Sequence, residues 1–455
     1  MVKLKVMKRF NWIKIYLSVG ISFLFSGEIL AQDTLKIDFR EAVELALQAN
    51  AAYQTQLNSL EVLQKEKQVA MFSHFPSVGF NTTFAQQSGQ QFQQIEGEIV
   101  VTNVTNEIIS SGLNLNMPIF NSGRRILDTQ SAKLAYDAGE KGLDRASQQV
   151  VFDVARRYLQ VLLDQELLRI ATENLANQKE QLRQIQGFVD AGLRTLSDQY
   201  NQQSEVARLE SVLVDAQVQL ENDLWDLSEY LQLQPGVTPD LTPVDASARE
   251  NSLQDLPMDE LYEIAAANRA DKAQQELLVN STKKDLKAIK AMYFPRLSAF
   301  YNYSTFFTSL DDRSIQEQLL RIYPQNNLGL NLTIPIFNNF QNRVDVSRSR
   351  VAYKNQEIRK AAIDRKVYQD VRLAYQNYQA AVRKTANTDV QVFAAKEAQL
   401  AIAERFRLGL SNFVDLATAN QQLVAAQADQ AQSVYTLFFQ EVLMKHALGT
   451  LEVLD

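Results

Sequence analysis

The side chains that most often carry catalysis or bind metals are scarce in this chain and widely separated. It has two histidines, His74 and His446, which lie in different segments without the spacing of metal ligands, and it has no cysteine. No phosphate-binding or dinucleotide-binding glycine pattern is present. With 53 aspartates and glutamates in the chain, nearby carboxylate pairs arise by chance and carry no information. The sequence therefore predicts no enzyme, no cofactor and no metal site.

Two aspartates, Asp198 and Asp415, belong to a more informative pattern. They lie in the stretches "FVDAGLRTLSDQY" (188–200) and "FRLGLSNFVDLAT" (406–418). In each stretch a glycine suited to ending a helix comes first, and a Thr or Asn then stands three positions before the aspartate. This is the spacing of a helix N-cap and the third residue of its helix. Each stretch therefore predicts a helix end, a tight turn and a new helix.

The chain contains an internal duplication. Shifted by 217 positions, "LNLNMPIFN" (113–121) aligns with "LNLTIPIFN" (330–338), and the register then runs without a gap to the two glycine turns. The Pro- and Asp-rich stretch 233–257 separates the copies and predicts a loop. We therefore divide the chain into a first repeat, 32–250, and a second repeat, 251–455.

Each repeat predicts the order helix, strand, strand, long helix, turn, helix. A Phe-Pro pair stops the first helix of each repeat, because proline cannot continue a helix. The predicted strands are about 75–84, 109–120, 296–307 and 327–337. The predicted long helices are about 122–190 and 339–407, and the others are about 38–72, 194–233, 257–293 and 411–448. The polar stretches 85–107 and 308–325 predict surface loops between paired strands.

The predicted strands alternate apolar residues with Asn, Ser or Thr, although Phe300 breaks the pattern. Alternation over about 10 residues is typical of a membrane β-barrel with lipid outside and water inside. It is also typical of a soluble sandwich or of a small sheet over a core. Four strands are too few for a good core, and the helices have no apolar surplus with which to cover them. We therefore predict an α+β membrane protein.

The two long helices would each extend on the order of 100 Å at about 1.5 Å per residue. The two shorter helices of each repeat together nearly match that length, so they would stack end to end as a rod beside the long helix. Apolar residues cover a stripe of these helices, a pattern typical of a long solvated coiled coil. A coiled coil alone would not explain why each coil is fused to a pair of strands.

The first 31 residues predict a secretory signal peptide, with an uncleaved membrane anchor as the alternative. Basic residues up to Arg9 precede an apolar run of about 11 residues, well short of the roughly 20 that a spanning helix needs. We place cleavage after Ala31. Because the chain has no cysteine, the exported protein must be held together by packing without disulfides. A net charge of −7 and the lack of a basic stripe argue against nucleic acid as a partner.

The duplication, the strands that enter a long helix through "PIFN", the Gly-Leu turn far along that helix and the terminal "LMKHALGTL" together resemble the TolC family of outer membrane efflux proteins. The resemblance covers essentially the whole mature chain. It implies a homotrimer whose twelve strands form one β-barrel in outer membrane lipid, continued by a long periplasmic α-helical barrel of coiled coils. Pro118 and Pro335 would mark the junction between barrel and tunnel. The implied function is a passive exit duct of a tripartite efflux or secretion system, docked to a periplasmic adaptor and an inner membrane transporter.

The resemblance also implies roles for the two glycine turns, which would lie at the periplasmic end of the tunnel. Asp198 and Asp415 match acidic residues that line a narrow aperture, and Thr418 stands where relatives often carry a second acid. The residues implied in adaptor docking are Gly192, Leu193, Leu196, Arg407, Gly409, Leu410 and Phe413.

These implied roles have structural alternatives. The two aspartates could act as helix caps alone. Arg407 could simply interact with the dipole at a helix C-terminus. The apolar residues of the turns could pack against each other within one protomer.

Two other classes of protein remain as alternatives. A periplasmic coiled-coil adaptor or scaffold that never enters the membrane would share the long helices. Adaptors, however, usually interrupt their hairpin with a lipoyl-like β domain, and the Gly-rich turns of such a domain are absent here. A general diffusion porin is disfavoured because most of the mature chain predicts helix.

Overall fold

The computed structural model describes residues 34–95, 98–243 and 256–452, so the predicted signal peptide lies outside the described residues. The strands are β1 (Thr34–Ile37), β2 (Ser77–Ile95), β3 (Glu98–Phe120), β4 (Thr238–Leu241), β5 (Arg296–Thr308) and β6 (Gln325–Thr333). An antiparallel sheet has the order β2-β3-β5-β6, while β1 and β4 pair in parallel elsewhere. The strands β2 and β6 are therefore the two edges of the four-stranded sheet.

The helices account for most of the described chain. They are α1 (Phe39–Ala49), α2 (Ala51–Phe72), α3 (Arg124–Asp190), α4 (Leu196–Tyr230), α5 (Met258–Asn268), α6 (Ala270–Lys290), α7 (Ile315–Glu317), α8 (Gln341–Arg407) and α9 (Phe413–Leu448). The long helices α3 and α8 have 67 residues each, which corresponds to about 100 Å. Both α2 and α4 pack along α3, and both α6 and α9 pack along α8. The predicted pairing of two shorter helices with each long one is therefore present.

The hairpin of β2 and β3 is longer than predicted. The sequence places a loop at 85–107, but the two strands stay paired from Ser77 and Asn116 to Ile95 and Glu98. The prediction was wrong because it depended on side-chain alternation, whereas backbone hydrogen bonds hold a hairpin together even where its side chains are polar. The second hairpin is short, since β6 ends at Thr333, four residues before the predicted end.

The alternation of side chains gives the sheet one apolar and one polar face. Apolar side chains lie opposite each other across the strands, as in the row Phe80, Leu113 and Tyr303. The neighbouring positions form polar rows of Asn, Ser and Thr. Phe300 falls on this polar face directly opposite Gly329, and its ring covers the space that a Cβ of that glycine would need. An aromatic ring over a cross-strand glycine accounts for the break in the pattern at Phe300.

Two helices that were predicted as continuous are each broken once. The segment 38–72 divides at Asn50, and the segment 257–293 divides at Arg269, where the backbone is extended. Neither position is a proline or a glycine, so the sequence offers no local breaker there. The breaks are stabilised by long-range contacts that become visible only in the folded chain.

The main apolar core lies beside these breaks, midway along the long helices α3 and α8. One cluster joins β1, α1, α3, α4 and β4, and another joins α5, α8 and α9. The Tyr158 hydroxyl donates a hydrogen bond to the Thr242 oxygen (2.7 Å) and lies 3.3 Å from the Ile37 oxygen, which fixes the paired strands β1 and β4 against α3. The predicted loop 233–257 therefore contains a strand, β4. Within the described residues, no helix has the length and apolar character to cross a membrane.

Candidate functional site: the helical tips and the strand-to-helix junction

The two tips, residues 188–200 and 406–418, end their long helices in the same way. Gly192 and Gly409 have φ of +68° and +76°, a left-handed conformation that glycine adopts without strain. In the first tip, the Gly192 amide donates to the Val189 oxygen (3.0 Å), and the next amide donates to the Phe188 oxygen (2.8 Å). The second tip repeats both bonds 217 positions later. This is a Schellman motif, so the turn predicted at both tips is present.

The next helix starts differently in the two tips. In the first, Thr195 and Asp198 form a capping box: the Asp198 amide donates to Thr195 Oγ1 (3.2 Å), and Asp198 Oδ2 accepts from the Thr195 amide (3.3 Å) and hydroxyl (2.9 Å). In the second, Asn412 Oδ1 accepts from the Asp415 amide (2.9 Å), and the exposed Asp415 carboxylate accepts no hydrogen bond from described residues. Helix capping therefore explains the carboxylate of Asp198, whereas the carboxylate of Asp415 takes no part in a cap and is free to face solvent or a ligand.

The apolar tip residues divide into an inner and an outer set. Phe413 is partly buried against Ile185, Phe406 and Leu416, which join the two tips within one chain. The outer set is exposed, with relative accessibilities of 71% for Leu193, 59% for Leu196 and 67% for Leu410. The alternative of packing within one protomer therefore holds for Phe413 and fails for the outer set.

Arg194 connects the two tips, and the sequence reading missed it. Its guanidinium donates a hydrogen bond to the Phe406 oxygen and lies 4.0 Å from the centre of the Phe406 ring. The aligned position in the second repeat is Ser411, so this contact has no counterpart there. The signal in the sequence was this difference between the repeats: the first tip has an arginine where the second has a small serine.

The other predicted tip residues lie on exposed helix surfaces. Arg407 forms an ion pair with Glu404 (2.5 Å), one turn earlier on α8, and this pairing lowers the pKa of Glu404. Thr418 is exposed on α9, three residues after Asp415 and hence on the same face. Asp415 and Thr418 can therefore line one surface.

The two prolines at the base of the sheet lie next to the turn into the long helix. Pro118 lies within β3, where the pairing with β5 shifts register, and Pro335 follows the end of β6. The chain turns a few residues later, at Ser122 and Gly123 in the first repeat, where both residues have positive φ. Asn339 and Phe340, the aligned residues of the second repeat, have positive φ as well. Both junctions are therefore built from two successive left-handed residues.

The two histidines lie in separate structural environments. His74 Nε2 lies 3.1 Å from Thr129 Oγ1 near the junction. His446 is buried near the end of α9 and stacks on Phe152 at a centroid distance of 4.7 Å, and its burial lowers its pKa to about 3. His446 is therefore neutral at physiological pH and contributes to packing.

Comparisons with known proteins agree with this architecture. The chain matches the outer membrane efflux protein family twice, over residues 42–231 and 261–450, one match within each predicted repeat. It is 23% identical over 358 residues to the outer membrane protein TolC of Vibrio cholerae, covering 77% of this chain and 78% of that protein. The efflux protein BepC of Brucella suis is 20% identical over 342 residues, covering 74% of this chain and 71% of that protein.

Solved structures share the fold. The outer-membrane channel OprN superposes with a TM-score of 0.76 at 21% identity, over 90% of this chain and 89% of that one. CusC superposes with a TM-score of 0.78 at 16% identity, over 91% and 93%. The chain belongs to the outer membrane efflux protein family. It is accordingly a non-enzymatic efflux channel of the outer membrane with a periplasmic helical portion, so the alternatives of a periplasmic adaptor or scaffold and of a general diffusion porin no longer apply.

Proposed function

We propose that three copies of this chain form one duct, in which twelve strands close a barrel and the helices continue it as a tunnel. The support is the pair of open edges, β2 and β6, of a four-stranded sheet. Lipid contains no water to satisfy unpaired backbone groups, so such edges must pair with another copy. The apolar face of the sheet is exposed in the single chain, which suits contact with lipid. Its exposed residues include Val78, Phe80, Phe84, Leu328, Leu330 and Leu332.

Crosslinking tests this assembly, because the chain has no native cysteine to react. Phe80→Cys on β2 and Leu330→Cys on β6 put thiols on the two edges of the same face. With a short bismaleimide in mild detergent, the double variant should give a ladder that stops at three chains. Each single variant is the control and should remain monomeric on a denaturing gel. A stable membrane-inserted monomer, or a ladder that continues beyond three, contradicts the proposal.

We also propose that Asp415 and Thr418 line a narrow periplasmic aperture that prefers cations. Threefold symmetry would bring three exposed Asp415 carboxylates together, and rings of acids favour cations in channels. Asp415→Asn should therefore lower the cation selectivity measured in planar bilayers. Asp198→Asn is the matched control at the aligned position and should change selectivity less, because Asp198 is occupied in its capping box. Unchanged selectivity in the double variant Asp198→Asn/Asp415→Asn would leave Asp198 with its capping box alone and Asp415 with no role at an aperture.

The outer tip residues are proposed to dock a helical hairpin of a periplasmic adaptor, which links the duct to an inner membrane transporter. Leu193, Leu196 and Leu410 expose apolar surface at the end of a long rod, and exposed apolar patches commonly bind partners. The space around Gly192 and Gly409 is open, so another backbone can approach closely.

Substitutions at the tips separate docking from folding. Gly409→Trp, or Leu193→Glu combined with Leu410→Glu, should abolish export and adaptor co-purification while the trimer still forms and conducts. Ser411→Glu is the control, since it adds a charge at the same tip without removing apolar surface. Loss of the trimer in the leucine variants would mean that these residues pack within the duct, and the docking proposal would be withdrawn.

A further inference from the structure

A cavity of about 700 Å³ lies at the base of the sheet, where α3 leaves β3. Its walls come from the end of β3, the start of α3, the start of β5 and the end of β6. Asn116, Ser298 and Asn331 line it, and all three belong to the polar face of the sheet. The cavity therefore opens on the side opposite the apolar face.

The charged groups that line this cavity are mostly positive. Three arginines, Arg124, Arg125 and Arg296, face it together with one carboxylate, that of Asp128. This leaves an excess of two positive charges in each chain. The chain as a whole carries a net charge of −7, so the charge of this cavity is opposite in sign to the net charge of the chain.

Of the three arginines, Arg296 has the fewest side-chain hydrogen bonds and ion pairs with other described residues. It is the first residue of β5, opposite Thr333 of β6, and it falls in the same alternation as Ser298, so it belongs to the polar face. Its side chain is exposed, and it makes no ion pair within the part of the chain that the structure describes. A guanidinium without a partner keeps all five of its N–H donors for a ligand.

The other two arginines are partly engaged. Arg124 Nε lies 3.5 Å from Asp128 Oδ2, and both side chains are more than two-fifths exposed, so this pair is weak. Arg125 Nη1 donates to the Pro118 oxygen at 3.4 Å, which holds its guanidinium against the junction. Each of these groups retains free donors toward the cavity.

We infer that this cavity is a binding station for anionic organic solutes, such as carboxylates or phosphate esters, on the wall of the duct. This inference rests on the proposed function, in which the polar face of the sheet surrounds the water-filled interior. Arginine's planar fork matches carboxylate and phosphate oxygens in a bidentate way, and the neighbouring amide and hydroxyl groups add neutral hydrogen bonds. In a trimer, three such cavities at one level would form a positive collar above the acidic aperture.

The collar would lower the barrier that an acidic duct presents to an anion. Clefts lined by one sign of charge raise the local concentration of oppositely charged solutes. Conduction also requires that the solute leave, and an open cavity in which Arg296 is exposed suits weak, reversible binding. The cargo class inferred for this duct therefore includes anions.

The test uses the purified full chain in planar bilayers, with citrate as the probe and potassium chloride as the carrier. Citrate should reduce the current that potassium chloride carries through the wild-type duct. Arg296→Gln should raise the half-blocking concentration about tenfold, the effect of losing one charge-assisted contact. Arg296→Lys keeps the charge without the fork and should give an intermediate value. Arg124→Gln should have a smaller effect than Arg296→Gln, because Asp128 already offsets its charge.

Lys287→Gln is the matched control. It removes one positive charge from an exposed position on the adjacent helix α6, outside the cavity lining. Equal effects of Lys287→Gln and Arg296→Gln would overturn the inference in favour of a diffuse field. A conducting trimer that citrate does not block would also overturn it and leave the proposed function intact. A preparation without conducting trimers would overturn the proposed function, and this inference with it.

Discussion

The helix breaks at Asn50 and Arg269 have nearly the same backbone, with φ of −68° in both and ψ of 113° and 115°. Their side chains stabilise the two breaks in different ways. Asn50 Oδ1 caps the next helix by accepting from the Tyr53 amide (2.9 Å), and its amide group donates to the Tyr230 hydroxyl (3.3 Å). Arg269 provides no cap and is instead a buried cation. The duplication has kept the bend while replacing the chemistry that stabilises it.

Arg269 is only 1% exposed and is neutralised by two carboxylates. Its guanidinium lies 2.6 Å from an Asp271 oxygen and 2.9 Å from an Asp370 oxygen. Its hydrogen bonds to Asp370 of α8 and to the Ala447 oxygen of α9 join the bend between α5 and α6 to both of those helices. The second repeat therefore depends on a buried ion cluster at the place where the first repeat depends on one amide.

A second difference between the repeats lies where α3 packs against α4 and where α8 packs against α9. Asp164 of α3 is buried, and the neighbouring Asp223 of α4 adds to the effect of burial in raising its pKa. The aligned residues of the second repeat are Ala381, which is buried, and Gln440. An acid pair in one repeat thus corresponds to a small apolar and a neutral polar residue in the other. Two copies of one backbone can respond differently to pH.

The largest effect is expected from Arg269→Met. Removing the cation leaves two partly buried carboxylates unpaired, and breaking a buried pair in this way costs about 3–5 kcal/mol of stability. Denaturation of the detergent-solubilised protein, followed by circular dichroism, measures the loss. The double variant Arg269→Met/Asp271→Asn should recover part of it. A loss below about 1 kcal/mol would mean that the cluster is as weak as a surface ion pair.

A change in pH dependence is expected from Asp164→Asn. Burial and the neighbouring Asp223 raise the pKa of Asp164 to about 7, from an ordinary value of 3.8. The folded state then holds a proton that the unfolded chain releases, so this group lowers stability as pH rises from about 4 to about 7. Thermal denaturation across that range should show this decline for the wild type and a flatter profile for the variant. Parallel profiles for the two proteins would contradict the raised pKa of Asp164.

Asn50→Ala should destabilise the first repeat by about 1 kcal/mol, the usual cost of losing an N-cap. The matched control is Asn268→Ala, at the residue just before the bend of the second repeat. Asn268 donates only to the Ile264 oxygen of its own helix and caps nothing, so its loss should be nearly neutral. Equal losses at the two positions would show that the two bends are stabilised alike after all.

The smallest effects are expected at the tips. Asp198→Ala removes an acceptor that closes a capping box and should cost about 0.5 kcal/mol. Asp415→Ala removes only a favourable charge near a helix N-terminus, worth about 0.3 kcal/mol at an exposed site. Denaturation of the two variants, with bilayer conductance measured in parallel, tests whether Asp198 acts mainly in helix capping and Asp415 mainly at the aperture. A larger stability loss for Asp415→Ala would reverse that assignment.

Much of the fold could be predicted from local patterns. The glycine turns at Gly192 and Gly409 and the helix restarts beyond them formed as expected, because Schellman motifs and N-caps depend on a few consecutive residues. The long helices and the strand cores agree within a few residues, since their side-chain periods are local as well. The role of Asp415 at an aperture and the docking role of the outer tip residues remain predictions.

The parts that sequence reasoning missed are held by contacts between distant residues. The pairing of β1 with β4 joins two four-residue strands from opposite ends of the first repeat, too short to show alternation. The bend at Arg269 depends on Asp370, 101 residues away along the chain.

The sequence alone is sufficient to predict the duplication, the change from strand to helix period and the turns, because each of these follows from the conformational preferences of neighbouring residues. The tertiary packing determines which contacts the individual side chains make. It ties the carboxylate of Asp198 into a cap, leaves that of Asp415 in solvent, brings Arg194 across to Phe406 and gathers three arginines around one cavity. Such outcomes depend on which surfaces meet once the helices and strands have docked, and a linear pattern does not encode those distances.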